Sequence, residues 1–275
     1  MQRLFPAHLP ARLIGLALLA GRVANADPAP AAAPASAACI PPTVGKSVPF
    51  GVGEKIEMEI DALGAMIGTF SMTTAPGHRP DVYTIVARGR TDQFAGSFYP
   101  VEAIAHSQLG AGLDDRGYDE DATEDGVQRS VAVEFPPKGP ELRVQASKQG
   151  DSENYAVSAP PETRDMLGAL YQLRTLALAD GASFCVPIFG GRRIWVLRGT
   201  VVGREPVQTP LGEYKAIHLS ATASRLDAPR VSRELHLWIT DDAERIPVAA
   251  FGILQGKPVR AQLVKYARGR MPARR

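Results

Sequence analysis

The sequence predicts a mainly β protein: a long, curved, half-barrel-like antiparallel sheet wrapped around one central α-helix. Three observations carry this. Apolar and polar residues alternate with period two along much of the chain, as in Ile56, Met58 and Ile60 against Lys55, Glu57 and Glu59. Short turns bearing Gly or Pro separate these runs, and consecutive strands on short turns must pair antiparallel, because parallel pairing needs long crossovers. One run, residues 164–179, breaks the alternation and carries helix formers instead.

The chain opens with Arg3 and Arg12 flanking an apolar run at residues 13–20, followed by Ala24-Asn25-Ala26. This pattern predicts a secretory signal peptide over residues 1–26, cut between Ala26 and Asp27. A hydrocarbon core of roughly 30 Å needs about 20 apolar residues, so the run predicts export to the periplasm or beyond and no membrane span. Residues 27–48, dominated at first by Ala and Pro, are read as a linker. One β-rich domain is expected over residues 49–266, with residues 267–275 as a basic tail.

Strands are expected at residues 55–60, 68–74, 81–89, 101–108, 130–135, 141–146, 183–189, 192–203, 213–223, 233–240, 247–254 and 258–266. Gly190-Gly191 and Leu254-Gln255-Gly256 suit tight hairpins. The helix is opened by Pro160-Pro161-Glu162-Thr163 and closed by Asp180-Gly181. Met166, Leu170, Leu173 and Ala177 form one stripe on it, and Leu167, Tyr171, Arg174 and Leu178 an adjacent one. A helix apolar over so much of its circumference needs cover on most sides, and here the sheet is the available cover.

Hydrophobic residues at 45% and charged residues at 22% allow a buried core, while a net charge of +2 gives no basis for a nucleic-acid partner. Cys39 and Cys185, in an exported chain, predict one disulfide. The proline-rich stretch between the apolar run and Cys39 argues against lipidation of that cysteine. Neither cysteine has a neighbouring histidine, so no metal site is expected at them.

The chain carries no G-x-S-x-G, H-E-x-x-H, P-loop or C-x-x-C pattern, so no catalytic residue and no cofactor is assigned. His8, His78, His106, His218 and His236 are scattered. His218 and His236 lie on neighbouring strand candidates, where a metal pair or a catalytic base would need a third ligand or a nucleophile that the sequence does not offer. They are read as packing residues. The acidic stretch 114–126 is read as a solvated loop between strands; Asp121-Ala-Thr123-Glu-Asp125-Gly126 begins like a calcium loop, but Ala132 stands where the bidentate Glu belongs.

The string from Leu237 to Pro247 reads as a strand ending in an Asp241-Asp242 turn, with Arg245 placed to pair with a turn carboxylate and Pro247 starting the next strand. Arg174, on a helix with apolar neighbours, must find an internal partner, and Asp241 and Asp242 are the candidates.

Several of these features combine. Gly53-Glu54 before an alternating strand, Asp165-x-x-x-x-Leu170-Tyr171-x-Leu173-Arg174 followed by Gly181, the Gly212 hairpin, and Leu237-Trp238-x-x-Asp241-Asp242-x-x-Arg245-Ile246-Pro247 resemble the bacterial family called domain of unknown function 3108. The likeness covers residues 50–266. It implies a secreted or envelope protein with a curved antiparallel sheet around a helix, and it supplies no activity. The acidic stretch and the cysteine pair lie outside the pattern.

Two function classes follow. The first is a non-catalytic envelope protein that binds an apolar ligand or a protein partner in the sheet's concavity, since one modest helix covers only part of the inward faces. Phe70, Met72, Phe94, Phe98, Tyr99, Leu170 and Trp238 are the candidate groove residues. The second is an exported hydrolase of envelope glycan or lipid, using histidines and carboxylates that only the fold brings together. An apolar concavity would favour the first, and a polar cleft joining His218 or His236 to carboxylates the second.

Overall fold

The alternating segments form fifteen strands and two short helices in the computed structural model, which describes residue 39 and residues 48–79, 82–110, 112–136, 139–254 and 256–270. The expected signal peptide and most of the expected linker lie outside the described residues. In chain order the elements are β1 (Lys55–Ala62), β2 (Ala65–Pro76), β3 (Tyr83–Thr91), α1 (Gln93–Gly96), β4 (Val101–Leu109), β5 (Asp115–Glu124), β6 (Val127–Glu134), β7 (Glu141–Lys148) and β8 (Asp151–Ser158). They continue with β9 (Arg164–Asp165), α2 (Met166–Arg174), β10 (Ser183–Gly190), β11 (Arg193–Thr209), β12 (Gly212–Arg225), β13 (Ser232–Thr240), β14 (Pro247–Leu254) and β15 (Lys257–Ala267).

All fifteen strands belong to one open sheet, ordered β8-β7-β6-β5-β4-β3-β2-β1-β15-β14-β13-β12-β11-β10-β9. Two antiparallel meanders, β1 to β8 and β10 to β15, are sewn together where β1 pairs with β15, leaving β8 and β9 as the edges. The expected antiparallel pairing holds except at β9, which runs parallel to β10. Pairing fixes which side chains share a face: Met58 opposes Phe70, Phe70 opposes Gly89, and Gly89 opposes Ala103. Ile56, Met58, Met72, Ile85, Ala87 and Ala105 are all buried on that face, as the period of two requires.

Three strands escape the sequence reading. The acidic stretch is β5, not a loop. It is held because its charges find partners: Asp119 pairs with His106 at 2.7 Å, Glu124 with Arg129 at 3.5 Å, and Tyr118, itself buried, donates to Glu120 at 2.5 Å. Strand β8, with sequence DSENYAVS, lies at an edge and exposes its first four residues, which removes the apolar alternation that would mark it. Strand β9 has only two residues.

The helix is also shorter than residues 164–179. Arg164 and Asp165 pair with Ile188 and Phe189, so the helix starts after them, with Asp165 as N-cap accepting from the N–H groups of Leu167 and Gly168 at 2.8 Å. It stops at Thr175, whose Oγ1 donates to the Gln172 carbonyl at 2.8 Å. Seven of its nine residues are buried. Leu167 and Tyr171 join an apolar cluster with Phe50, Met72, Ile85 and Leu109, whereas Ala169 and Leu173 join a second cluster with Val186, Trp195 and Leu219.

Cys39 and Cys185 form a disulfide with Cα atoms 5.5 Å apart, tying the segment before the first strand to β10. The expected tail is partly docked: β15 extends to Ala267, Arg268 pairs with Glu244 at 3.1 Å, and the Arg270 N–H donates to the Val52 carbonyl at 2.8 Å. Residues 271–275 lie outside the described residues.

Candidate functional site

The polar positions of the N-terminal meander build a trough. One cross-strand row runs Glu57, Ser71, Arg88, Ile104, Asp121, Ser130 and Ser147 across β1 to β7. A second, two residues along each strand, runs Glu59, Thr69, Arg90, Glu102, Thr123 and Gln128, and Gln149 joins it through its N–H to the Gln128 carbonyl at 3.0 Å. All fourteen residues line a cleft of about 900 Å³. The row between them, Met58, Phe70, Gly89 and Ala103, also borders the cleft, and from it Met58 and Phe70 pack into the core.

This surface is built for hydrogen bonding. Ser130 and Ser147 share a hydrogen bond of 2.7 Å across the strands. Glu57 is held by Lys55 at 2.5 Å and Lys265 at 3.7 Å. Arg88 and Arg90 stand among Glu59, Glu102 and Asp121 without an ion pair to any of them among the described residues, so both guanidiniums keep their donor forks available. The sequence gives no special signal for these residues. Their alternation marks them as solvent-facing, which is true of every polar strand position.

The expected apolar groove is not where the seven candidates lie. Met72 is buried in the core, and Phe70 and Leu170 pack against it. Phe94, in α1, and Phe98, just after it, are each 72% exposed and form an edge-on pair at 5.4 Å, with Tyr99 half-buried next to them. Trp238 sits apart on β13, stacked on His218 at 4.4 Å. Only Phe70 borders the trough. A correct alternation therefore does not make one groove of apolar residues on distant strands.

Arg174 is fully buried, and its carboxylate partner is Glu54 rather than Asp241 or Asp242. Nη1 and Nη2 donate to the two Glu54 carboxylate oxygens, each at 2.7 Å. Nε and Nη2 also donate to the carbonyls of Arg245 and Glu244, at 2.9 and 3.1 Å. The guanidinium lies over the rings of Tyr171 and Phe50, 4.9 and 5.2 Å from their centroids. Burial pushes the Tyr171 phenol up to about 12. Asp242 instead shapes its own turn, accepting from Thr240 Oγ1, Glu244 N and Arg245 N. Asp241 binds Arg204 and Lys215, both at 3.2 Å, and Arg245 at 3.7 Å. The Asp-Asp turn thus serves Arg174 through its backbone carbonyls.

A second buried polar centre joins β5 to the start of α2. Asp115 accepts from the Asp165 N–H, Ser107 donates to Asp165 at 2.6 Å, and Arg164 Nη1 lies 3.6 Å from Asp115. Burial and the adjacent Asp165 charge raise the Asp115 carboxyl well above its ordinary range. Gly168 is required here, because a Cβ would overlap the Asp115 carboxyl oxygens.

His218 and His236 do meet. Their Nε2 and Nδ1 atoms are 2.8 Å apart, His236 Nε2 faces Glu234 at 3.0 Å, and His218 Nδ1 faces Glu205 at 3.3 Å. Trp238 Nε1 donates to the same Glu205 oxygen at 2.5 Å. Burial lowers the His218 pKa. The array is a carboxylate–imidazole–imidazole–carboxylate chain beside a stacked indole, outside the trough. No group of three His, Cys, Asp or Glu side chains among the described residues is placed to hold a metal.

Comparison with solved structures shows the fold. A β-barrel-like protein of domain of unknown function DUF1849 from Brucella abortus superposes with a TM-score of 0.56 at 12% identity, covering 79% of this chain and 98% of its own. A candidate exported protein with a YmcC-like fold from Bacteroides fragilis covers 80% of this chain and 98% of its own, with a TM-score of 0.37 at 10% identity. No curated protein matches the sequence. Among the described residues no helix is long and apolar enough to cross a membrane. The family described as protein of unknown function, DUF3108, matches residues 55–250, and the chain belongs to that family.

Proposed function

We propose that the protein is an exported, non-catalytic envelope protein whose ligand surface is the polar trough across β1 to β7. In this reading residues 1–26 direct export and are removed, residues 27–48 are a linker, residues 49–266 are one domain in which the sheet encloses α2, and residues 267–275 are a basic tail. The membership of α2 in both apolar clusters supports that enclosure. It also moves the binding surface: side chains of the helix and of both meanders pack the concave side, so an apolar ligand there is replaced by a polar ligand on the opposite face.

The observation that carries the reading is the pair of cross-strand rows, polar at every position but Ile104, facing a cleft of about 900 Å³. Seven strands spaced about 4.8 Å apart make the trough about 30 Å long, which suits an extended polymer rather than a compact metabolite. Hydroxyl and amide groups from Thr69, Ser71, Thr123, Gln128, Ser130 and Ser147, with the donor forks of Arg88 and Arg90 among the carboxylates of Glu57, Glu59, Glu102 and Asp121, match a hydroxyl-rich chain, the chemistry of an envelope glycan. Calorimetry of the mature protein with soluble peptidoglycan fragments tests this. Binding that falls roughly tenfold in Arg88→Ala/Arg90→Ala supports the reading. No binding by the unsubstituted protein, or equal binding by the variant, overturns it.

The hydrolase reading rests on the array from Glu205 through His218 and His236 to Glu234. Every imidazole nitrogen in it already has a partner, and the array stands outside the trough, which places it second. Turnover of glycan or lipid by the mature protein that disappears in His218→Gln would put it first.

A further inference from the structure

Eight large hydrophobic side chains are exposed among the described residues, and six of them gather in four connections at one end of neighbouring strands. Phe94 and Phe98 are in the β3–β4 connection, Leu63 and Met66 at the β1–β2 turn, Ile253 at the β14–β15 turn and Leu226 after β12. The order β4-β3-β2-β1-β15-β14-β13-β12 makes these connections consecutive. Register brings them to one edge: Ala62 opposes both Ala65 and Val259, Leu254 opposes Lys257, the Asp92 N–H donates to the Ile67 carbonyl at 3.0 Å, and Ser224 opposes Ser232.

The placement is a line of tips, not a compact patch. Eight strands at about 4.8 Å spacing spread it over roughly 34 Å. Phe94 and Phe98 are each 72% exposed, although Asp92 caps α1 through the Ala95 N–H at 2.6 Å and Ser97 donates to the Phe94 carbonyl at 2.7 Å. The two rings are therefore presented by a fixed turn. Isolated apolar side chains are ordinary on a surface, but their confinement to adjoining tips is not.

We infer that this edge docks on a lipid bilayer, with the six side chains entering the headgroup–acyl boundary. Charge at this end matches a headgroup layer: exposed Arg230 in the β12–β13 connection and Lys257 at the β14–β15 turn face phosphates, as does exposed Lys148 beyond them at the β7–β8 turn, and exposed Asp125 and Asp151, at the β5–β6 and β7–β8 turns, face ammonium groups. A protein partner would be expected to meet a continuous apolar face, whereas a planar interface accepts separated tips each ringed by polar groups. The inference uses none of the trough residues, although the trough reaches the same end of the sheet, with Arg90 next to the last residue of β3 and Glu102 next to the first of β4.

Sedimentation of the mature protein with vesicles of phosphatidylethanolamine and phosphatidylglycerol tests it. The protein should sediment with the vesicles, Phe94→Ser/Phe98→Ser should bind roughly tenfold or more weakly, and Leu211→Ser, at the far β11–β12 tip, should bind normally. In a second measurement, the indole of Phe94→Trp should be quenched by brominated acyl chains. Failure of the protein to sediment, equal binding by the Phe94→Ser/Phe98→Ser variant, or an unquenched indole overturns the inference.

Discussion

Glu54 and Arg174, 120 residues apart, form a two-point ion pair with both side chains almost wholly excluded from water. The pair fastens the C-terminal end of α2 to the residue just before β1, and the carbonyls of Glu244 and Arg245 fill the remaining donor positions. Removing one partner strands the other's charge. Arg174→Ala and Glu54→Ala should each cost about 3–5 kcal/mol, while Glu54→Met/Arg174→Met should cost clearly less than the two single losses combined. Urea unfolding of the three variants checks this; fully additive losses would show that the side chains do not act as a pair.

The legibility of this centre in the sequence was uneven. An Arg among apolar helix neighbours has to find a partner, so burial of Arg174 follows from elementary solvation. Which carboxylate it finds does not, because Asp241, Asp242 and Glu54 are equally ionic in one dimension and only the β1–β15 closure brings Glu54 to the helix end. The strands were legible where one face is buried, as at Ile56 and Met58, and illegible where charge is satisfied across strands, as in β5, or where the strand is an exposed edge, as in β8. Trough residues were legible as polar positions and not as a site, since a row across seven strands has no sequence spacing to mark it.

Gly168 and Asp115 make a steric test of the second centre. A methyl at Gly168 would overlap the Asp115 carboxyl oxygens, so Gly168→Ala should destabilise by about 1–3 kcal/mol despite the better helix propensity of Ala. Combining it with Asp115→Ala should recover part of the loss by opening space. Thermal unfolding of the single and double variants measures the coupling, and an unchanged midpoint for Gly168→Ala would contradict the close approach.

The same Asp115 predicts a pH dependence. In the unfolded chain its carboxyl loses its proton near ~3.9, while in the fold burial and Asp165 keep the proton to higher pH. The folded state therefore binds the extra proton between these two values, and the group's contribution to stability falls as pH rises through that window. The stability difference between the natural protein and Asp115→Asn should be flat below pH ~4 and then shift against the natural protein, by at most about 1.4 kcal/mol per pH unit. Chemical denaturation at a series of pH values reads the slope, and a flat difference throughout would show that Asp115 ionises normally.

The disulfide closes a loop of 146 residues between Cys39 and Cys185. On the chain-entropy account that constraint is worth up to about 4–5 kcal/mol through the unfolded state. Alkylation of the unreduced mature protein should find no free thiol, and Cys185→Ser should lower the unfolding midpoint while leaving the circular dichroism of the sheet unchanged. Two alkylatable cysteines without reductant would refute the bond.

Trp238 offers an optical report on the histidine array. Its ring stacks on His218 at 4.4 Å and 17°, and the chain's other tryptophan, Trp195, is buried in the second cluster, away from any imidazole ring among the described residues. Burial lowers the His218 pKa, with the neighbouring His236 acting in the same direction and Glu205 opposing. His218 is therefore neutral at neutral pH and takes up a proton only below the ordinary histidine value of ~6.5. Because the unfolded state protonates first, stability from this neutral form is complete above ~6.5 and is lost as pH falls through the lowered value. An imidazolium against the indole also quenches its emission, so Trp238 fluorescence should drop over that acidic window with a midpoint below ~6.5. In His218→Gln the transition should vanish while Trp195 emission persists. A midpoint at or above ~6.5, or a transition surviving in His218→Gln, would place the proton elsewhere in the array.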